Sequence, residues 1–309
     1  MILTVIGCTG SFAGPDSPAS CYLITGKDHD GRDWRVLLDL GNGSLGSLQR
    51  HIDLHEIDAV LISHLHPDHC VDLAGLHVAV KWDPRGWPGG PVTVWAPPGT
   101  QDYLRAARVI DTGAGLQDEF TLGAWQDRVP VSIGPFRITP HRVEHPVEDP
   151  FALRIEYDGH HGASVLTYSG DSDTCDGLVE AARDADLFLC EAAYHEGRDA
   201  YRGIHLTGRR AGEVATAAGV DELMLTHLPV WNSPTVAVQE AATAYTGPIA
   251  LAQPATSYRI VADDAHRAGR SLARSSSVRT TTTAMRTVDP DERSAGKPQA
   301  RSSAATVRD

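Results

Sequence analysis

An α/β fold, with two β-sheets packed face to face and helices outside, is predicted by three features of the chain. Short β-rich runs recur along its length, helical patterns lie between them, and sequential hairpins mix with strand–helix alternation. The first runs are "ILTVI" (2–6), "CYLIT" (21–25), "WRVLLDL" (34–40) and "DAVLIS" (58–63). "VTVWA" (92–96), "FRIT" (136–139), "FALRIEY" (151–157) and "ASVLTYS" (163–169) follow, then "DLFLCEA" (186–192), "ELMLT" (222–226) and "YRIVA" (258–262). Helical patterns fall at 71–82, 100–109, 176–184, 207–219 and 235–244, with Thr207 placed to cap the fourth. No internal repeat is present.

At 309 residues the chain is long enough for one large α/β domain or two small ones. From residue 266 it turns rich in Ser, Thr, Arg and Ala, with few residues able to build a core. The expectation is a folded domain over 1–265 and a disordered tail over 266–309. The net charge of −13 conceals an asymmetry. Residues 265–309 hold nine Arg or Lys against four Asp or Glu, a balance of +5, and residues 1–264 hold 18 against 36, a balance of −18. So acidic a body argues against stable, sequence-indifferent nucleic-acid binding, which needs clustered Lys and Arg. A small phosphorylated ligand stays open, because bound cations reverse the local field. No apolar stretch reaches transmembrane length, and "MILTVIGCTGS" lacks the order of a signal peptide. Cysteines 8, 21, 70, 175 and 190 form no CxxC pair and no even-numbered framework. Reduced thiols in a cytoplasmic protein without a membrane partner are therefore expected. A homodimer is left open.

The chemistry concentrates in "SHLHPDHC" (63–70), directly after an apolar strand. Histidines packed so closely repel once protonated, and a carboxylate among them needs a partner, so a cation is the economical occupant. His64 and His66 are two apart and, on extended backbone, share a side. Pro67 ends the strand, so that Asp68 and His69 open the helical stretch "VDLAGLHVAVKW" and can diverge towards a second ion. Imidazole and carboxylate without thiolate suggest two divalent cations, zinc before manganese or iron. Further donors stand where later apolar runs stop: His145, Asp171 in a Gly-Asp turn, and His227.

His-x-His-x-Asp-His followed by a distant His, Asp and His resembles the metallo-β-lactamase fold superfamily over residues 1–262. The resemblance implies a four-layer αββα sandwich with a dinuclear site at the edge between its sheets. It implies that His64, His66 and His145 bind one metal, that Asp68, His69 and His227 bind the other, and that Asp171 bridges. "LLDLGNG" is similar to the family's early motif, in which Asp39 supports the histidine loop. Penicillin-hydrolysing members are disfavoured, since the Asp68–His69 pair is the form found in phosphodiesterases and thioesterases.

"ADLFLCEAAY" and "GIHLTGRRAGEVATAAGVDELMLTHLPVW" resemble the ribonuclease Z branch, with Glu191 and His205 at its catalytic positions. By that resemblance His205 protonates the leaving oxygen, Glu191 orients it, and Asp68 handles the proton of the attacking water. The chain departs from ribonuclease Z where that enzyme carries its tRNA-gripping arm. His145 and Asp171 are only 26 positions apart, and "PFALRIEYDGHHGASVLTYSG" between them reads as a simple hairpin. No Pro-x-Lys-x-Arg-Asn loop appears. "GCTGSFAGPDSPASCYLI" and the HLTG loop are instead similar to bacterial cyclic-nucleotide phosphodiesterases of the superfamily. The expected function is hydrolysis of a small phosphodiester such as cyclic AMP. The alternatives are a tRNA-processing endonuclease and another hydrolase of the fold, a thioesterase or lactonase. Of the remaining histidines, His77 is expected to pack or cap in the helix after the motif. His195 is a candidate for a lid over the site.

Overall fold

A computed structural model describes residues 1–107 and 116–262. The tail expected from residue 266 lies outside the described residues. Strands β1 (Ile2–Gly7), β2 (Cys21–Lys27), β3 (Asp33–Leu38), β4 (Ala59–Leu61), β5 (Val92–Ala96) and β6 (Phe120–Ala124) lie side by side in one sheet. The second sheet runs in chain order from β7 (Val131–Ile133), β8 (Phe136–Arg142), β9 (Phe151–Gly159) and β10 (Gly162–Tyr168) to β11 (Leu187–Glu191), β12 (Leu223–Thr226) and β13 (Ile249–Leu251). Strand β14 (Ser257–Arg259) returns to pair with β1. The two sheets follow one plan: β14 to β3 pair antiparallel and β3 to β6 parallel, while β7 to β10 pair antiparallel and β10 to β13 parallel.

Successive strand residues point to opposite faces, so each buried strand serves two cores. Leu3, Tyr22, Leu38 and Leu61 of the first sheet meet Leu153, Leu166, Leu189 and Met224 of the second in the central core. Their neighbours Leu37 and Val60 turn outward to Leu73 and Leu76 of α3 (Leu73–Trp82). On the far side Phe188 and Leu225 pack on α5 (Asp176–Ala182), α6 (Gly208–Ala218) and α7 (Pro234–Ala242). The result is the four-layer αββα sandwich. Thr207 caps α6 as expected, its Oγ1 accepting the Arg210 N–H at 3.2 Å.

Three strands and one helix escape the sequence reading. β6, β7 and β13 are short and lie at or beside sheet edges, where few residues show alternation. α1 (Ser44–Leu48) is five residues long, too short to display a helical period. The stretch read as one helix after Pro67 is two, α2 (Pro67–Cys70) and α3, with α4 (Thr100–Ala106) beyond them. The turn after β3 separates them: Leu40 N–H donates to the His69 carbonyl at 2.7 Å, and Asp72 N–H to that of Leu40 at 3.1 Å. Asp68 and His69 therefore sit inside α2, not at the start of a long helix.

That turn leaves no room beside the motif. A Cβ on Gly41 would lie 2.0 Å from the Asp68 carbonyl oxygen, whereas one on Gly46 in α1 would meet nothing within 4 Å. Gly41→Ala should therefore lower stability by about 1–3 kcal/mol, the usual effect of overpacking. Gly46→Ala should be neutral or stabilise by up to ~1 kcal/mol. Thermal melts of the two variants check this, and equal midpoints would contradict it.

Candidate metal centre

The strand ends converge at one rim of the sandwich. Asp39 follows β3, His64 lies just past β4, His145 past β8, Asp171 past β10, and His227 directly follows β12. His66 precedes α2, and Asp68 and His69 belong to it, with Pro67 at the first helical position. Asp171 is set by the Gly170 turn, where φ is +57° and an added Cβ would lie 2.8 Å from the Phe151 carbonyl oxygen. Asp39 and His227 also hold positive φ, +58° and +54°. Non-glycine residues adopt that region at a free-energy cost, and sites of function concentrate such strain.

All seven residues with expected metal roles come together in two groups that share Asp171: His64, His66, His145, Asp171 and Asp68, His69, Asp171, His227, each with donor atoms within 4.8 Å of one another. In the first, His66 Nδ1 lies 3.1 Å from both His64 Nε2 and His145 Nε2. Asp171 Oδ2 is 3.8 Å from His64 Nε2 and 3.9 Å from His145 Nε2. In the second, His69 Nε2 and His227 Nε2 are 3.2 Å apart, and Asp171 Oδ1 is 3.2 Å from the former and 3.4 Å from the latter. Asp68 Oδ2 lies 3.1 Å from His227 Nε2. Donor atoms about 2.0–2.2 Å from a common tetrahedral centre stand roughly 3.3–3.6 Å apart, so the spacing fits a cation in each group.

Hydrogen bonding behind the rings fixes which nitrogen faces inward. His145 Nδ1 donates to the Ile204 carbonyl at 2.7 Å. His69 Nδ1 donates to Asp39 Oδ2 at 2.7 Å. His64 Nδ1 donates to Ser63 Oγ at 3.1 Å, since that hydroxyl is itself committed to Asp39 Oδ2 at 2.8 Å. With one proton per neutral imidazole, the facing Nε2 atoms of His64 and His145 present lone pairs, and His69 would present one with a cation in place of its second proton. Asp171 is 2% exposed, and its Oδ1 accepts no hydrogen bond. Converging lone pairs and an unsatisfied buried carboxylate oxygen are what a divalent cation completes, and the residues present fit one in each group.

Asp39 is the hub of the support. Besides His69 and the Ser63 hydroxyl it accepts the Ser63 N–H at 2.7 Å and the Tyr168 hydroxyl at 2.7 Å. The sequence does not single out Ser63 or Tyr168, which simply stand at or next to the end of an apolar run.

The electrostatics follow from burial and these neighbours. Burial pushes His64 well below its ordinary 6.5, and the nearby His69 adds to it. Burial likewise lowers His66 and His145. Burial also opposes charge on His69, but the carboxylates of Asp171 and Asp39 outweigh it and hold that ring well above 6.5. Asp171, which burial alone would raise, is held far down by His227 and His69, and Asp68 by hydrogen bonds from the same two rings.

Beside this centre stands a second carboxylate–imidazole pair. Glu191 is fully buried, its Oε1 accepting from Ser172 N–H at 3.0 Å and His205 Nδ1 at 2.8 Å, its Oε2 from Ala193 N–H at 2.9 Å. Burial works against charge on His205, but Glu191 lifts its pKa to about 9. Two dications nearby would bring it back towards neutrality. The His205 loop is latched at several points: Gly203 N–H donates to Asp173 Oδ2 at 2.8 Å, and buried Arg210 pairs with Asp173 Oδ1. Sequence reasoning missed Asp173 and Arg210, because nothing in the chain marks which acid a helix-borne Arg will meet.

The lid expectation for His195 fails. The residue is 8% exposed, with its ring 3.7 Å from Glu240 of α7 and its N–H donated to Asp199 at 2.9 Å. His77 packs as expected, buried against Phe120 at 5.9 Å between ring centroids.

A family model described as a beta-lactamase superfamily domain matches residues 34–228. An uncharacterized protein of Mycobacterium tuberculosis is 43% identical over 249 residues, 80% of this chain and 88% of its own. The probable metallo-hydrolase YhfI of Bacillus subtilis is 31% identical over 257 residues, 82% of this chain and 97% of its own. The crystal structure of YhfI, a metallo-beta-lactamase fold protein, covers 83% of this chain and 98% of its own at 28% identity with a TM-score of 0.72. A ribonuclease Z of Mycolicibacterium gilvum is 32% identical over 219 residues, 62% of this chain and 73% of its own.

Two outcomes follow from the geometry and charge. A ligand bound only by the folded state adds RT ln(1 + [L]/Kd), about 4 kcal/mol at a thousandfold excess over Kd. Chelation should thus lower the thermal midpoint, and divalent cation should restore it. In the metal-free protein His64, His66 and His145 have folded pKa values below the unfolded 6.5. The unfolded chain then takes up more protons below that value, so stability should fall as pH drops from 7 to 5. His69 and His205, raised in the folded state, oppose the trend modestly between pH 7 and 6.5 and contribute fully, without further change, below that. Melting curves across this range would contradict the assignment if the midpoint stayed level or rose.

Proposed function

The chain belongs to the beta-lactamase superfamily and is one of its metal-dependent hydrolases, and from that premise we propose a phosphodiesterase that uses two divalent cations on 3′,5′-cyclic nucleotides such as cyclic AMP. His64, His66 and His145 would hold one cation, Asp68, His69 and His227 the other, and Asp171 both. Zinc suits this donor set best, with manganese or iron also accommodated. When bound, the cations supply Lewis-acid polarisation of a phosphoryl oxygen and acidification of the attacking water.

The remaining steps belong to the chain's own side chains. Asp68, held ionised by His227 and His69, orients the attacking water or accepts its proton. His205 keeps Nδ1 on Glu191 at 2.8 Å, which leaves Nε2 to pass a proton to the departing ribose oxygen. The water oxygen forms its bond to phosphorus, one P–O bond breaks, and the ring opens to a phosphomonoester.

The observation that carries a phosphoryl-transfer reading is the His205–Glu191 pair, a held acid beside a centre built for two cations. A small substrate is supported by the chain between His145 and Asp171. It folds as the β9–β10 hairpin, paired from Gly159↔Gly162 to Leu153↔Tyr168, without an arm. The balance of −18 over residues 1–264 works in the same direction, since a long polyanion would be repelled. The likeness to ribonuclease Z supports a phosphodiester as the bond and keeps a precursor tRNA as the competing substrate.

The test offers the metal-loaded protein cyclic AMP, cyclic GMP, a precursor tRNA and a thioester side by side. Turnover of the cyclic nucleotides is expected, and cleavage of the tRNA or thioester alone would overturn the reading. His205→Ala should slow cyclic AMP hydrolysis ~10²–10⁴-fold, the usual contribution of general acid catalysis, with metal content unchanged. A nitrophenyl phosphodiester, whose leaving group needs no proton, should lose far less. Equal losses on both would reassign His205 to substrate positioning.

A further inference from the structure

Among the described residues, Phe12 and Trp231 are aromatic side chains left 42% and 60% exposed, and Val230, next to Trp231 in the chain, is 49% exposed. The Phe12 and Trp231 rings meet, their centroids 5.4 Å apart and their planes tilted by 48°. The two segments that bear them run side by side: Thr9 bridges Leu228, and Gly10 N–H donates to the Leu228 carbonyl at 3.3 Å.

Both segments also build the centre. Ser11 N–H lies 3.4 Å from His227 Nε2. Ser11 and His227 each hold positive φ, +66° and +54°. Each chain thus turns sharply at the centre shortly before it presents its aromatic ring. On the other flank Asn232 Nδ2 donates to the Ala193 carbonyl at 2.7 Å. The next residue, Tyr194, sets its ring edge-on to His205 at 5.0 Å. The aromatic pair is therefore tied on one side to His227 and on the other to the segment flanking the proposed acid.

Singly exposed apolar residues are ordinary, but two exposed aromatic rings in contact with each other beside a candidate site mark a place where a ligand binds. A planar heterocycle fits this surface: a nucleobase offers a π-face of matching kind, and a cyclic nucleotide holds its base one ribose away from the reacting phosphorus. We propose that Phe12 and Trp231 form the platform on which the substrate's nucleobase stacks. The inference rests on the phosphodiesterase reading above, which places the phosphate at the adjacent centre. It also limits what the platform can discriminate. Stacking accepts any base, so purine and pyrimidine cyclic nucleotides should differ modestly.

The test compares the metal-loaded wild type with Trp231→Ala, Trp231→Phe and Phe12→Ala on cyclic AMP and on base-free ribose 3′,5′-cyclic phosphate. Loss of a base–aromatic contact weakens binding on the order of 5- to 100-fold. Trp231→Ala should raise KM for cyclic AMP within that range, leave KM for the base-free substrate and both kcat values nearly unchanged, and be largely rescued by Trp231→Phe. Equal effects on the two substrates, or none, would overturn the platform. So would a variant that changes only the oligomeric state, which would make the pair a contact between two copies. A wild type that hydrolyses neither cyclic phosphate sinks the substrate reading instead. In that case adenosine 5′-monophosphate still reports on the platform, by quenching tryptophan fluorescence in the wild type more than in Trp231→Phe, and identical quenching rejects it.

Discussion

The carboxylate of Asp171 sits where water cannot reach it, with one oxygen towards each of two groups of imidazoles. Removing a charged carboxylate from water costs several kcal/mol even after relaxation. Two of the rings cannot repay that, because the protons of His145 and His64 are spent on Ile204 and Ser63, which leaves His69 and His227 alone to offset the charge. A cation in each group would resolve both problems at once. The rest of the rim is arranged to hold this unfavourable set together: parallel strands β3, β4, β10 and β12 deliver their ends to one place, and Asp39 and His227 accept positive φ to complete it. Strain of that kind costs about 1–3 kcal/mol per residue and persists only where packing enforces it.

The same device, a buried carboxylate holding an imidazole through Nδ1, appears twice with different consequences. Asp39 holds His69 at 2.7 Å, fully enclosed and turned to the cation group. Glu191 holds His205 at 2.8 Å, with the ring's side chain 13% exposed. Enclosure suits the first ring to holding a cation, and partial exposure suits the second to the proton transfer proposed for it. Each carboxylate is over-supplied with donors, Asp39 by Ser63 and Tyr168, Glu191 by Ser172 and Ala193. Such multiple bonding fixes the carboxylate in place and keeps its imidazole oriented.

Much of the candidate site was legible because its residues stand at the ends of apolar runs, and a strand end is visible in sequence even when its partners are not. His64, His66, Asp68 and His69 are consecutive enough to announce themselves, and His145, Asp171 and His227 each stop a strand. The hairpin between His145 and Asp171 was equally readable, since two β runs flank a short polar turn. What stayed hidden depends on contacts across the fold. Tyr168 reaches Asp39 from 129 positions away, and Arg210 finds Asp173 across 37. His195 looked like a loop residue over the site, yet packing against α7 takes it into the interior. β7 and β13 are three residues long and owe their pairing to neighbours rather than to their own alternation.

The central claim is that one buried carboxylate divides two cations. Anomalous diffraction at the zinc edge, from crystals of the zinc-loaded protein, tests it most directly. The account predicts two peaks about 3.5–4 Å apart, as in two-metal hydrolytic sites, one within reach of each Asp171 oxygen. A single peak, or two that leave Asp171 outside both coordination shells, would contradict it.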